Sequence, residues 1–499
     1  MSSRLYPIFA ALAHYVQYLT KPQWLATCFL LCAVPTGLGC ALLTPIGMFP
    51  DEAAHATRAD GLRYGQFLGF KPSPRQPNNA VNAGVVVNRS IFLVLGSEEA
   101  ALAYPDKPVP PAARLQAESI PWLKGQVYNS TQMVEYFPIF YVPAALGLLA
   151  GEKSGLSPLH TFYLGRVAML ICYVLLGTAA LALTRFGGPL LFTILTLPTA
   201  INLGSSYNED GLLTASCVLA AALLTRRKAK FSIAWLIALV VLTGVVSAKL
   251  PYGALLLLCL TPVLTKGIWR RAMIILLACT LPGAWLLHIA HSGFIDYVFP
   301  ISYHPGPLWP GSRDIVMHDT VPQNNIKVLL AHPAEILLLP INSLMLLWLG
   351  TWPNILGMIS CDDVLISPWE FPFLVIALAA ASVASLRDWR ASWRTTDTIL
   401  TALAIFAAFI CMELSLYLTA TLAGFNFILG VRGRYFLPLM PFFIFILPWA
   451  GSQLARLPGA RKLPCIPAGW FCLPPVTMAT VNAYALPSYI FHLFQMPGP

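Results

Sequence analysis

Charge is what this 499-residue chain has least of: 31 Lys and Arg and 21 Asp and Glu make up only 10% of it. A water-soluble fold of that length exposes far more charge, so a large soluble domain is excluded. None of the eleven cysteines falls in the long polar stretch 48–135, and almost all lie in apolar runs, which argues against a disulfide framework. No Cys/His cluster has ligand spacing, so no zinc site is expected. Clear internal repeats are also missing. The basic clusters are too small and too regularly spaced for nucleic-acid binding.

What is present in excess is apolar. Hydrophobic residues are 57% of the chain and mean hydropathy is +0.69. Successive uncharged runs of about 17 residues or more mark an all-α integral membrane protein. The 42 prolines and 34 glycines fit kinked or broken helices, which packing in a bilayer tolerates.

The net charge of +10 is unevenly spread. Stretch 48–135 holds eight acids and eight bases, which cancel. The excess sits in short loops: Arg226-Arg227-Lys228 with Lys230, Lys266 with Arg270-Arg271, Arg387 with Arg390 and Arg394, and Arg456 with Arg461-Lys462. The positive-inside rule makes these loops cytoplasmic. Residues 1–23 then form a cytoplasmic lead-in and 24–47 the first span. Residues 48–159 form a long extracytoplasmic loop with interfacial helices, 136–150 among them. A bundle over 160–290 follows, with spans at 160–184, 188–204, 209–225, 231–248, 251–265 and 271–290. Residues 291–369 are a second external loop containing His304, Arg313, Asp314, His318 and Asp319, with 335–350 re-entrant or interfacial. Spans at 370–386, 398–422, 435–450 and 467–488 complete the C-terminal region, about eleven in all (range about 10–13).

This topology gathers four polar clusters on the external face. Asp51, His55 and Arg58 fall at i, i+4 and i+7 of a helix beginning near Asp51, with Glu52 one position round. Two carboxylates, an imidazole and a guanidinium at the end of a span suit acid/base chemistry. A helix cap at Asp51 with Glu52 answering the helix dipole explains the same residues. The second cluster runs Ser205-Ser206-Tyr207-Asn208-Glu209-Asp210, where Asn208 and Asp210 serve as supporting polar groups or as caps. The third is Lys249-Leu250-Pro251-Tyr252. The fourth is Gly430-Val431-Arg432-Gly433-Arg434-Tyr435. Arg432 and Arg434 lie on the side where few cations are expected, and guanidinium groups match phosphate oxygens bidentately. Lys249 adds a point charge or snorkels to the headgroups. Glu413, inside a span, suits a buried partner of an Arg or Lys.

In sequence order, Pro50-Asp51-Glu52 with His55 and Arg58, Tyr136-Phe137-Pro138, Tyr163-Leu164-Gly165-Arg166, Ser206-Tyr207-Asn208-Glu209-Asp210, Lys249-Leu250-Pro251-Tyr252 and Gly430-Val431-Arg432-Gly433-Arg434-Tyr435-Phe436-Leu437-Pro438 resemble the motifs of a bacterial family of multispanning membrane proteins of unassigned function, related to the GT-C superfamily of membrane glycosyltransferases. Gly350-Thr351-Trp352 is a loose match. Ala53 and Leu250 stand where that family commonly has proline. The resemblance implies a GT-C-like bundle in the bacterial inner membrane, with the N-terminus cytoplasmic and the site on the periplasmic face. It implies a polyprenyl-phosphate-linked sugar as donor and a cell-envelope glycan, lipid or protein as acceptor. Asp51 would be the general base, with Glu52 as helper or alternative. His55, also in the catalytic set, would with Arg58 position the acceptor or the donor phosphate, and Arg432, Arg434, Lys249 and Tyr435 would hold that phosphate. No cofactor is expected, although Asp51 and Glu52 could together take one divalent cation. A flippase for lipid-linked saccharides and a non-catalytic subunit of an envelope assembly are the competing readings.

Overall fold

A computed structural model of the chain describes residues 20–71, 83–97, 108–226, 232–263, 267–292, 298–303, 315–319, 322–361, 364–388, 394–456 and 467–495. Outside them lie the expected lead-in up to residue 19, His304, Arg313 and Asp314 of the expected second loop, and the basic residues Arg227, Lys228, Lys230, Lys266, Arg390, Arg461 and Lys462.

The long polar loop is entered from α1 (Pro22–Leu43). The extended Thr44 before Pro45 stops this helix, because a residue preceding proline avoids the helical region. α2 (Glu52–Arg63), β1 (Gly84–Asn88), α3 (Arg89–Leu95), α4 (Pro111–Glu118) and β2 (Gln126–Ser130) fill the loop, followed by α5 (Val142–Lys153). β1 and β2 pair antiparallel, with Val86 opposite Tyr128. Helices and loops were the expectation here, so the sheet is a departure from it. Val85 and Val87 turn inward onto Ala83 and Val134, and α2 packs so closely on β1 that a Cβ at Gly61 would lie 2.7 Å from Val85. At 12 residues, α5 reaches about 18 Å, short of a bilayer's roughly 30 Å core.

The bundle follows: α6 (Pro158–Leu183), α7 (Gly188–Thr196), α8 (Pro198–Gly204), α9 (Asp210–Leu224), α10 (Ile233–Ala248), a 3₁₀ segment Leu250–Leu260, α11 (Ile268–Ala278) and α12 (Thr280–Ser292). Pro198, with extended Leu197 before it, breaks the expected span 188–204 into α7 and α8. Every residue of α9 is buried, as an all-round apolar helix requires, so α9 is the axis of the bundle. Tyr207 just before it lies against Gly165 of α6, where any Cβ would clash, and its hydroxyl donates to the Phe162 carbonyl at 2.7 Å.

Strands β3 (Val298–Tyr303) and β4 (Ile315–Asp319) pair antiparallel in the second loop. Then come α13 (Pro322–Ala331), α14 (Glu335–Gly357), α15 (Phe371–Leu386), α16 (Thr395–Ala420), a 3₁₀ segment Gly433–Phe445, α17 (Leu447–Leu454) and α18 (Leu473–Phe494). α13 and the first part of α14 meet at 108°, the geometry of a broken span or re-entrant loop. Pro438 and Pro441 lie within the second 3₁₀ segment, which has no regular α-helical ladder.

Among the described residues the chain is predominantly helical, a multispanning membrane fold. Among the described residues five helices are long and apolar enough to cross: Pro22–Leu43, Pro158–Leu183, Ile268–Ser292, Pro368–Leu386 and Thr395–Ala420. Counting each of two bent pairs as one span gives seven. The further crossings expected at 209–225, 231–248 and 251–265 fall on shorter apolar helices.

One side chain joins the span before the polar loop to the bundle. Arg166, fully buried in α6, donates to the carbonyls of Ala41 (2.9 Å), Thr44 (2.7 Å) and Pro45 (2.9 Å), at and just beyond the end of α1, where a helix leaves carbonyls to be satisfied from outside. Its other face makes a two-pronged pair with Glu52, at 2.6 and 2.7 Å. Arg166→Ala leaves Glu52 buried without its cation, and thermal or denaturant unfolding in detergent should show a loss of about 3–5 kcal/mol.

Candidate functional site

The site lies where α1, α9, α10 and the second 3₁₀ segment end near one another. Asp51 sits at the start of α2 with φ of 52° and ψ of 25°, a left-handed conformation that costs a non-glycine residue about 1–2 kcal/mol. Its carboxylate does not cap α2. It accepts instead from Arg434 Nη2 at 2.8 Å. Asp51 is 47% exposed and Arg434 4%, so the pair joins a reachable oxygen to a buried cation.

From Arg434 the charges alternate inward. Arg434 Nε lies 3.4 Å from Asp210 Oδ2, and Asp210 Oδ1 is in close contact with Lys249 Nζ. Lys249 also reaches Glu209 Oε1 at 3.2 Å. The rings of Tyr136 and Tyr435 flank its ammonium at 5.2 and 5.1 Å, a cation–π arrangement on both sides. Glu209 Oε2 accepts the Tyr141 hydroxyl at 2.6 Å and lies 2.8 Å from His55 Nδ1.

The proton positions follow from counting donors. Tyr141 has a single proton and gives it to Glu209, so His55 Nδ1, 2.8 Å from both, must carry the hydrogen that completes the cluster. Burial, then the neighbouring Glu209 carboxylate, push the Tyr141 hydroxyl well above its ordinary value of 10, which keeps that donor protonated. His55 Nδ1 therefore faces Tyr141 and Glu209.

Of the other expected contributors, Glu52 and Arg58 lie outside this network, while Asn208 and Tyr435 adjoin it. Glu52 turns away from Asp51 to Arg166 and also accepts from Gly47 N–H at 2.9 Å, so the two carboxylates do not converge on a shared cation. Arg58 does not share a working face with Asp51 and His55. It donates to the carbonyls of Gln66 (3.2 Å) and Phe67 (2.8 Å) and holds the loop after α2. Burial lowers its guanidinium only to about 10, so it remains charged. Asn208 acts through backbone: Oδ1 accepts the Asp210 N–H at 2.8 Å, and Nδ2 donates to Pro50 O at 3.3 Å. Arg432 opens the second 3₁₀ segment, its carbonyl accepting the Tyr435 N–H at 3.1 Å. Tyr435 is tied by its own carbonyl to Tyr252 hydroxyl at 2.8 Å. Glu413 is buried in α16, and neither of its oxygens meets a hydrogen-bond partner among the described residues, contrary to the expected Arg or Lys. Among those residues no group of three or more His, Cys, Asp or Glu side chains forms a metal shell.

Glu209 and Arg166 stand in the quoted motifs without a role of their own, and Tyr141 was not singled out by sequence. Arg166 carried a usable signal, since an arginine inside an apolar helix requires a partner. Tyr141 carried none, because it lies in an aromatic and apolar run.

One residue beyond Tyr435 the surroundings become apolar. Phe436, Met440 and Phe443 of the second 3₁₀ segment, with Leu190 of α7 and Trp348 and Trp352 of α14, line a cavity of about 280 Å³.

At the far end of α2, Asp60 pairs with Arg63 at 2.6 Å and accepts the Asn88 N–H of β1 at 2.6 Å. Burial outweighs both and pushes its carboxyl up to about 6 from 3.8. Because the folded value is the higher one, this contribution to stability is fully present below about 4 and is lost as pH rises through about 6. Asp60→Asn should flatten that part of the curve when unfolding midpoints are measured between about pH 4 and 7.5.

A search of curated proteins finds no match, and neither does a search of solved structures. The family described as "Predicted membrane protein (DUF2142)" matches residues 8–443, most of the chain and all the residues of the charged network. The chain belongs to this family of membrane proteins.

Proposed function

We propose that this protein is an inverting membrane glycosyltransferase of GT-C type, moving a sugar from a polyprenyl-phosphate donor to a cell-envelope glycan, lipid or protein. In this reading about eleven spans cross the bacterial inner membrane. The N-terminus is cytoplasmic, and Asp51, Lys249 and Arg434 meet at the periplasmic face. The observation that carries the proposal is the half-exposed Asp51 carboxylate at 2.8 Å from the buried Arg434, one accessible base beside one oriented cation. The apolar cavity starting at Phe436 supports a substrate that is anionic at one end and greasy at the other.

The reaction is a single displacement. The acceptor hydroxyl oxygen bonds to the anomeric carbon as the bond from that carbon to the phosphate oxygen breaks, and the electron pair leaves with the polyprenyl phosphate. Asp51 takes the hydroxyl proton. Arg434, with Lys249 behind it, stabilises the charge developing on the leaving phosphate. Glu209 and Asp210 hold those cations, while His55 and Tyr141 hold Glu209. No metal or cofactor enters this scheme.

Transfer of radiolabelled sugar from polyprenyl-phosphate donors to crude envelope acceptors, by protein in nanodiscs, tests the proposal. Asp51→Asn should cut the rate at least about 100-fold, and Arg434→Ala about 100- to 1,000-fold. Transfer by Asp51→Asn at the wild-type rate would remove Asp51 from the chemistry.

A further inference from the structure

The charge balance of the network sets a condition on any anionic ligand. Asp51, Asp210 and Glu209 are three carboxylates, and Arg434 and Lys249 are the two cations between them. Each cation already faces two carboxylates. A phosphoester added to this arrangement would meet cations that are fully matched, and it would bring a further negative charge into a largely buried cluster. An anion is accommodated at low cost only if a carboxylate withdraws.

Only one of the three is placed to do so. Glu209 is fully buried and held by Tyr141, His55 and Lys249. Asp210 is 1% exposed, with its N–H tied to Asn208 and its carboxylate between Lys249 and Arg434. Asp51 is half-exposed, and its side chain meets Arg434 alone among the described ion pairs. Rotation of the Asp51 side chain moves its carboxylate into solvent without disturbing α2, because Glu52 and Arg166 hold the backbone there. Arg434 keeps its orientation after that movement: Asp210 lies beside Nε, and the Tyr435 ring packs on the guanidinium at 5.2 Å.

Resting on the phosphate-donor reading above, we propose that Asp51 and the donor's phosphate compete for the same edge of Arg434. Donor binding thus releases Asp51 from its ion pair. The ion pair holds the Asp51 carboxylate on Arg434, so the exchange also frees it to turn toward an acceptor hydroxyl. The order of events follows: the phosphate seats first, and the acceptor is activated only afterwards. A site that has not taken its donor then keeps its base held on Arg434.

The consequence has an unusual sign, which makes it testable apart from catalysis. Removing the charge of Asp51 should strengthen donor-phosphate binding while it abolishes transfer. The probe is a radiolabelled polyprenyl monophosphate without sugar, bound to the full chain in nanodiscs. Asp51→Asn and Asp51→Ser should each bind it about 2- to 5-fold tighter than wild type, the scale of one partly exposed ion pair, and Arg434→Ala should lose binding. Glu152→Gln is the control, since it removes another half-exposed carboxylate that pairs with Arg63 away from this network. It should leave affinity unchanged. If both Asp51 variants bind equally or more weakly while Arg434→Ala still loses the probe, competition is wrong and the phosphate reading stands. An equal gain in Glu152→Gln would likewise overturn competition, attributing the effect to net charge. If no form of the protein binds the probe, the phosphate reading fails and this inference falls with it.

Discussion

The arrangement of the site depends on the ion pair between Arg166 and Glu52. An arginine in the interior of a membrane helix needs a counter-charge and a full set of acceptors, and this one has both. The carboxylate comes from the first turn after α1, and the remaining N–H groups take the carbonyls at the end of α1. One guanidinium therefore closes a span, fixes the turn that follows and sets the starting point of α2. Asp51 precedes Glu52 in that turn. Its strained backbone and its aim toward Arg434 are held by a neighbour that takes no part in the chemistry.

The second organising feature is the division of labour among the acidic residues. Asp51, Glu52, Glu209 and Asp210 come as two adjacent pairs, and each pair splits. In the first, one carboxylate is structural and the other faces outward. In the second, Glu209 serves Tyr141, His55 and Lys249, while Asp210 bridges Lys249 and Arg434. Adjacent residues at the start of a helix point in directions about 100° apart, so a doublet naturally serves two neighbourhoods. That geometry turns the Asp51 and Glu52 carboxylates toward different partners.

Much of this was legible in the residues and some was not. The membrane class follows from composition, and the four polar clusters that topology placed on one face do supply the network: Asp51, Asp210, Lys249, Arg434 and Tyr435 are all in it. The helical-face argument failed for Arg58, because a long side chain can turn back to the loop beyond its own helix instead of sharing a front with His55. It also misplaced His55, whose partners, Tyr141 and Glu209, are 86 and 154 residues away (141 − 55 and 209 − 55) and come together only through tertiary packing. The sheet of β1 and β2 was invisible for a similar reason. Its valines face a small local cluster, and no strict alternation extends far enough to announce a strand.

The second 3₁₀ segment has a geometric consequence of its own. A 3₁₀ helix climbs about 2.0 Å per residue against about 1.5 Å for an α-helix. Its 13 residues from Gly433 to Phe445 therefore extend about 26 Å, a length for which an α-helix needs about 17 residues. With three residues per turn, side chains at every third position line up in a straight row along the axis. Residues 434, 437, 440 and 443 form such a row, beginning at an arginine and continuing through Leu437, Met440 and Phe443. The same thin rod thus presents one cation and then a continuous oily edge, a ruler on which a head and a tail are spaced by the backbone itself.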